Sequence, residues 1–102
     1  MEVQILAILS EINSDCPTVM NELGCMYKKG YYVDIDLEEA LKWFKKSAAK
    51  GSHEAMFNLG IMYLNGEFVE KDFNLAKEWF EKSSNLGNEK SREILKSDFK
   101  TS

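Results

Sequence analysis

The 102-residue sequence has few residues that break helices, with one proline and six glycines. Long stretches can therefore form helix, because proline removes a backbone donor and glycine adds chain entropy to the unfolded state. Basic residues are also in deficit, with 13 against 17 acidic ones and a net charge of -4. Proteins that bind nucleic acid usually carry the opposite charge. The shortages predict a helical chain and argue against nucleic acid as a partner.

Long apolar runs are missing as well, and none approaches the roughly 18 residues of a membrane span. The mostly apolar run from Val3 to Leu9 follows an acidic residue, where a secretory signal has a basic one, and ends at Ser10. Cys16 and Cys25 have neither CxxC spacing nor an adjacent histidine. We therefore expect a cytoplasmic protein with reduced thiols, no membrane association, no metal and no cofactor.

A shift of 36 residues superimposes the sequence on itself, and 14 of the 36 positions from residue 20 to residue 55 are then identical. Tryptophan and glycine are among the matched residues, which indicates an internal repeat. The first-copy members of the identical pairs are Met20, Leu23, Gly24, Met26, Tyr27, Gly30, Val33, Asp36, Ala40, Trp43, Phe44, Lys46, Ser47 and Gly51.

Each copy is predicted to contain two helices. The first carries Leu-Gly-x-x-Tyr, and its glycine, Gly24 or Gly60, indicates a neighbouring element that passes too close for a side chain. The second helix has small and apolar residues at helical spacing, which predicts one buried stripe. The two stripes are Ala40, Trp43, Phe44 and Ser47, and Ala76, Trp79, Phe80 and Ser83.

Capping residues set the predicted helix ends. Asp36 and Asp72 are suited to begin second helices, whereas Gly51 and Gly87 are suited to end them. Pro17 fits a first helical turn, where its missing N–H does no harm. The predicted helices lie near residues 2–13, 17–29, 36–50, 52–65, 72–86 and 88–98.

The residues that the two copies share resemble the Sel1-like repeats, a branch of the tetratricopeptide superfamily. The family pattern runs Ala-x-x-x-Leu-Gly-x-x-Tyr-x-x-Gly-x-Gly-Val-x-x-Asp-x-x-x-Ala-x-x-Trp, and the second copy matches it from Ala55 to Trp79 apart from one loop glycine. The resemblance implies an all-α fold, an α-solenoid of stacked antiparallel helix pairs with about six helices. It divides a single 1–102 domain into an N-terminal cap helix (2–16), two repeats (17–51 and 52–87) and a C-terminal cap helix with a tail (88–102).

Aromatic residues replace the second loop glycine of the family in both copies, as Tyr32 and Phe68. Such a ring either closes the loop over the core or is displayed to a partner. We favour closure, because large apolar groups gain most from burial.

Catalytic motifs are weak. Ser47 and Lys50 match the Ser-x-x-Lys of penicillin-binding enzymes, but Ser47 recurs as Ser83 on the stripe predicted to be buried. His53 is the only histidine and has no nucleophile beside it, so a solvated surface histidine is expected. We expect no catalytic residue and no enzyme activity.

The first helices of the two copies differ on one face. The second copy carries Phe57, Ile61 and Leu64 at helical spacing where the first has Asn21, Cys25 and Lys28. In tetratricopeptide-like stacks the first helices line the concave surface, so this stripe, with Asn58, would face a partner. Packing against the C-terminal helix is an equal alternative.

The leading hypothesis is a non-enzymatic adaptor or scaffold, a monomer or weak homodimer that binds another protein in the groove of its first helices. The alternative is an immunity protein or inhibitor that neutralises a toxin or an enzyme, because acidic surfaces associate rapidly with basic targets.

Overall fold

The computed structural model describes residues 16–97 and residue 99, and this part of the chain is all-α. The helices are α1 (Pro17–Lys29), α2 (Leu37–Ala49), α3 (His53–Asn65), α4 (Phe73–Asn85) and α5 (Glu89–Ser97). Each end lies within one residue of its predicted position, and the all-α class is confirmed. The helix predicted over residues 2–13 falls outside the described residues.

The chain divides into two compact units, the first ending at Ser52 and the second beginning at His53. In the first unit α1 pairs with α2, and in the second α3 pairs with α4, against which α5 also packs. Each helix pair therefore corresponds to one copy of the sequence repeat.

The helix ends form through the chemistry expected of their residues. Asp36 Oδ1 accepts a hydrogen bond from the Glu39 backbone N–H at 3.1 Å, and Asp72 Oδ1 accepts one from Leu75 at 3.0 Å. These bonds satisfy donors that have no partner within the first turn of a helix. Asn88 caps α5 in the same way, 2.8 Å from the Ser91 N–H. Both cap positions in the repeats are thus confirmed.

The loop between paired helices is closed at each end by backbone hydrogen bonds. In the first repeat, the Tyr31 N–H donates to the Met26 carbonyl at 3.0 Å, and the Asp36 N–H donates to Tyr27 at 2.9 Å. The second repeat has the same two bonds, with donor–acceptor distances of 2.9 and 3.0 Å. Because its ends are fixed, the loop projects its central residues in a defined conformation.

The helix glycines are sites of close approach, as predicted, and the neighbour is an aromatic ring. A Cβ built on Gly24 would lie 2.5 Å from Cε1 of Phe44, and one on Gly60 would lie 2.6 Å from Cε1 of Phe80. Both rings are completely buried. Each helix pair is therefore joined by a phenylalanine ring packed on a glycine.

The tryptophans were predicted to lie on the buried stripe, but the extent of their burial was overestimated, because Trp43 and Trp79 are only half-buried. The lysine one turn later covers each ring, with Lys46 Nζ 4.9 Å from the Trp43 ring centre and Lys82 Nζ 5.0 Å from that of Trp79. An ammonium group over an indole face is a favourable cation–π contact. The lysine that recurs in both copies thus makes the same contact in each.

Candidate functional site

The apolar stripe on α3 consists of Phe57, Ile61 and Leu64, and all three side chains are half-buried. They pack against a buried cluster formed by Ala76, Phe80 and Phe99. Three other half-buried side chains pack against the same cluster, namely Tyr63, Ile94 and Leu95. The stripe therefore contributes to the core of the second unit and also retains accessible surface.

Phe57 is held from two directions. Its ring centre lies 5.9 Å from that of Phe80 on α4, with the ring planes tilted by 52°. On α5, Lys90 Nζ lies 5.9 Å from the Phe57 ring centre. Both spacings are within the range of attractive aromatic contacts. The ring is thus preorganised, and its exposed portion has a fixed orientation.

The remaining candidate residues lie on the first helices with different degrees of exposure. On α1, Asn21 is 5% exposed, so it has little surface to offer a partner. Cys25 and Lys28 are half-buried, as is Asn58 on α3. All four already interact with groups in the protein. Any partner would therefore meet residues with existing contacts.

His53 is not the solvated surface residue that the sequence suggested. It is half-buried, and its ring Nδ1 lies 3.0 Å from the side-chain nitrogen of Asn88. Asn88 also caps α5 through its oxygen, so both ends of its amide group are used. His53 thereby helps to join the start of α3 to the start of α5.

Ser47 has a structural role. Its side chain is fully buried, and its Oγ donates a hydrogen bond to the Pro17 carbonyl oxygen at 2.6 Å. Ser83 makes the equivalent bond to the His53 carbonyl, also at 2.6 Å. A hydroxyl group buried between two helices and engaged with a backbone carbonyl is poorly placed to attack a substrate.

The loop aromatics were expected to close over the core, and this expectation was wrong. Tyr32 is 67% exposed and Phe68 is 56% exposed. Their φ angles of 68° and 64° are left-handed, which is the region glycine favours. Both residues thus combine a left-handed backbone with an exposed ring. The sequence showed the missing glycine, but the left-handed backbone that a loop glycine readily adopts was the signal left unused.

No helix in the described part of the chain is both long and apolar enough to cross a bilayer. Among residues 16–97 and 99, no group of three or more His, Cys, Asp or Glu side chains is arranged to hold a metal ion.

A protein-family model described as the Sel1 repeat matches the chain twice, over residues 17–52 and 53–88. A comparison of the sequence with curated proteins finds no match.

Several solved structures are similar to this chain. Cysteine rich protein B of Helicobacter pylori is 30% identical with a TM-score of 0.80, and the match covers 93% of this chain and 72% of that one. A Sel1 repeat protein from Oxalobacter formigenes is 30% identical with a TM-score of 0.78, over 80% of this chain and 34% of that one. A protective antigen of uropathogenic Escherichia coli with an SLR fold is 33% identical with a TM-score of 0.74, over 76% of this chain and 17% of that one. The chain thus corresponds to about a third or less of two of these proteins.

Proposed function

The chain belongs to the Sel1 repeat family, and on that premise we propose that it is a non-enzymatic module that binds a partner protein on the first helices of its repeats. Sel1 repeat proteins are generally protein-interaction scaffolds, and the repeat fold is generally non-catalytic. The observation that carries the proposal is the double match to this family over residues 17–88.

The proposed contact surface is centred on the α3 stripe of Phe57, Ile61 and Leu64. Interface energy is concentrated in a few large apolar or aromatic anchors that a partner can desolvate fully. The half-buried Phe57 ring suits this role because its orientation is fixed before binding, which lowers the entropy lost on association. Asn58, Asn21, Cys25 and Lys28 are proposed as contacts of lesser energy on their own helices.

The test compares proteins captured by the tagged wild-type chain with those captured by two variants. Ile61→Ser alters the stripe, whereas Leu95→Ser is a matched control on α5 that packs against the same Ala76–Phe80–Phe99 cluster. We expect Ile61→Ser to lose a partner that Leu95→Ser retains. Equal capture by all three chains, or equal loss in both variants, would contradict the proposed surface.

An inhibitory or immunity function is a second candidate, favoured by the net charge of -4. Opposite fields accelerate association with a basic target, and salt weakens this effect. A toxin gene adjacent to the gene for this chain, together with an association rate that falls steeply with added salt, would support this candidate. A partner of neutral charge with a salt-independent association rate would contradict it.

A further inference from the structure

Among residues 16–52, the large apolar side chains that are most exposed lie in one loop, between α1 and α2. Tyr31, Tyr32 and Ile35 are 55%, 67% and 64% exposed. An open depression of about 480 Å³ has Gly30, Tyr31 and Tyr32 among its lining residues. Two adjacent exposed tyrosines are unusual for a surface with no partner, because aromatic rings are enriched in interfaces.

The loop is acidic as well as aromatic. Asp34 and Glu38 are exposed, and Asp36 is exposed although its Oδ1 accepts the Glu39 N–H. Glu39 is in addition paired with Lys42 at 3.1 Å, a contact that raises the pKa of the Lys42 ammonium group. Residues 30–36 contain two carboxylates, Asp34 and Asp36, and no basic residue, so the loop itself is negatively charged.

We propose that this tyrosine loop, residues 30–36, is a docking surface for an arginine-rich segment of another protein. An arginine guanidinium group stacks on tyrosine rings and pairs with a carboxylate, and this loop offers both within four residues. The occupant is inferred from charge complementarity, since the loop and the whole chain are both acidic. The surface involves none of the α3 stripe residues, so it does not depend on the proposed function.

The backbone conformation of Tyr32 supports a binding role for its exposed ring. A tyrosine at a φ of 68° occupies a conformation that glycine adopts at lower cost, and the exposed Tyr32 ring gains little from burial in return. Backbone hydrogen bonds at both ends of the loop fix the course of its main chain. Binding therefore requires little ordering of the loop.

The second repeat provides an internal control. Phe68 has the same backbone conformation as Tyr32, but Glu67 and Lys71 replace Tyr31 and Ile35. Its loop thus has one exposed ring in place of two, whereas both loops carry a net charge of -2. The two loops therefore differ in their apolar and aromatic groups and not in their net charge. We expect this loop to contribute little to binding.

The experiment titrates the ¹⁵N-labelled protein with a synthetic eight-residue peptide of alternating arginine and serine. The control peptide has citrulline in place of arginine, which keeps the planar group and removes its charge. Amide shifts at Tyr31, Tyr32 and Asp34 should saturate with the arginine peptide only. Equal binding of the citrulline peptide, or shifts confined to other residues, would overturn the proposal.

Matched glycine variants separate binding from folding. Tyr32→Gly should weaken peptide binding by about fivefold or more, the scale of one cation–π contact, while the melting temperature stays the same or rises. Phe68→Gly removes the same left-handed side chain from the second loop and should leave the affinity within about twofold.

Asp34→Asn should weaken binding, whereas Glu81→Gln, which removes an exposed charge from α4, should not. Equal losses in the loop and control variants would show general charge attraction and overturn the proposal.

Discussion

Three serines, Ser47, Ser83 and Ser91, are fully buried, and one of them differs from the other two in its hydrogen bonding. Ser47 and Ser83 donate to backbone carbonyls at 2.6 Å. Ser91 is equally buried, but its Oγ finds no hydrogen-bond partner within the described part of the chain. It takes the place that Ala55 has in the preceding repeat. The hydroxyl group at this position therefore costs free energy that an alanine would not.

Ser91→Ala should raise the free energy of unfolding by about 1 kcal/mol, because it removes an unsatisfied buried polar group. Ser83→Ala is the matched control and should lower it by about the same amount, since it removes a satisfied hydrogen bond. Urea denaturation of both variants measures the difference. A loss of stability in Ser91→Ala would mean that its hydroxyl group has a partner.

Gly60 gives the second residue-scale prediction, in which packing opposes helix propensity. Alanine in place of a helix glycine normally adds about 1 kcal/mol of stability. Here the new Cβ would lie 2.6 Å from the buried Phe80 ring, so overpacking should reverse the sign and destabilise by about 1–3 kcal/mol.

A double-mutant cycle checks the cause of this effect. In a Phe80→Leu background, Gly60→Ala should cost less than in the wild type, because the ring that the Cβ meets is gone. Identical costs in the two backgrounds would show that the ring is not the obstacle.

At the scale of the helix, α2 and α4 each place a tryptophan next to a phenylalanine, and only the phenylalanine is fully buried. In α4, Phe80 contacts Gly60, Phe57 and Phe99, whereas Trp79 lies beneath Lys82. Phe80→Ala should therefore lower the free energy of unfolding by about 3–5 kcal/mol, and Trp79→Ala by about half as much. Chemical denaturation followed by circular dichroism tests this order, and a larger loss in Trp79→Ala would contradict the packing.

The helix positions could be predicted from sequence because local chemistry determines them. Asp36 and Asp72 cap helices through bonds that span three residues, and Gly51 and Gly87 have φ angles of 95° and 99° after their helices. Burial depends on contacts between distant residues, which is why Trp79 and His53 were placed wrongly. Tyr32 and Phe68 were misjudged because hydrophobicity suggested burial, whereas both rings are exposed and stand on a left-handed backbone.

At the scale of the whole molecule, the 36-residue period predicted the pairing of helices, since a repeat must reproduce its own packing. The family was predicted from the resemblance of the repeated residues to the Sel1-like pattern. The two copies differ on one face of their first helices. Phe57 and Ile61 in the second copy correspond to Asn21 and Cys25 in the first. The sequence revealed this difference but not its purpose, because an apolar stripe suits a partner and a neighbouring helix alike.

The structure is compatible with both possibilities for the stripe, because its residues pack against a core cluster and also remain partly exposed. Substitutions there should lower both stability and affinity. A control that lowers stability alone is therefore required, and Leu95→Ser supplies it from the same cluster.

The most direct measurement is the affinity of purified partner protein for Ile61→Ser and Leu95→Ser at a temperature where both variants are fully folded. If the stripe is the binding surface, Ile61→Ser should weaken binding by more than about 1 kcal/mol, which is roughly fivefold, and Leu95→Ser should match the wild type. Melting temperatures of the two variants should fall by similar amounts, because both side chains pack on the same cluster. Wild-type affinity in folded Ile61→Ser would contradict the proposed site.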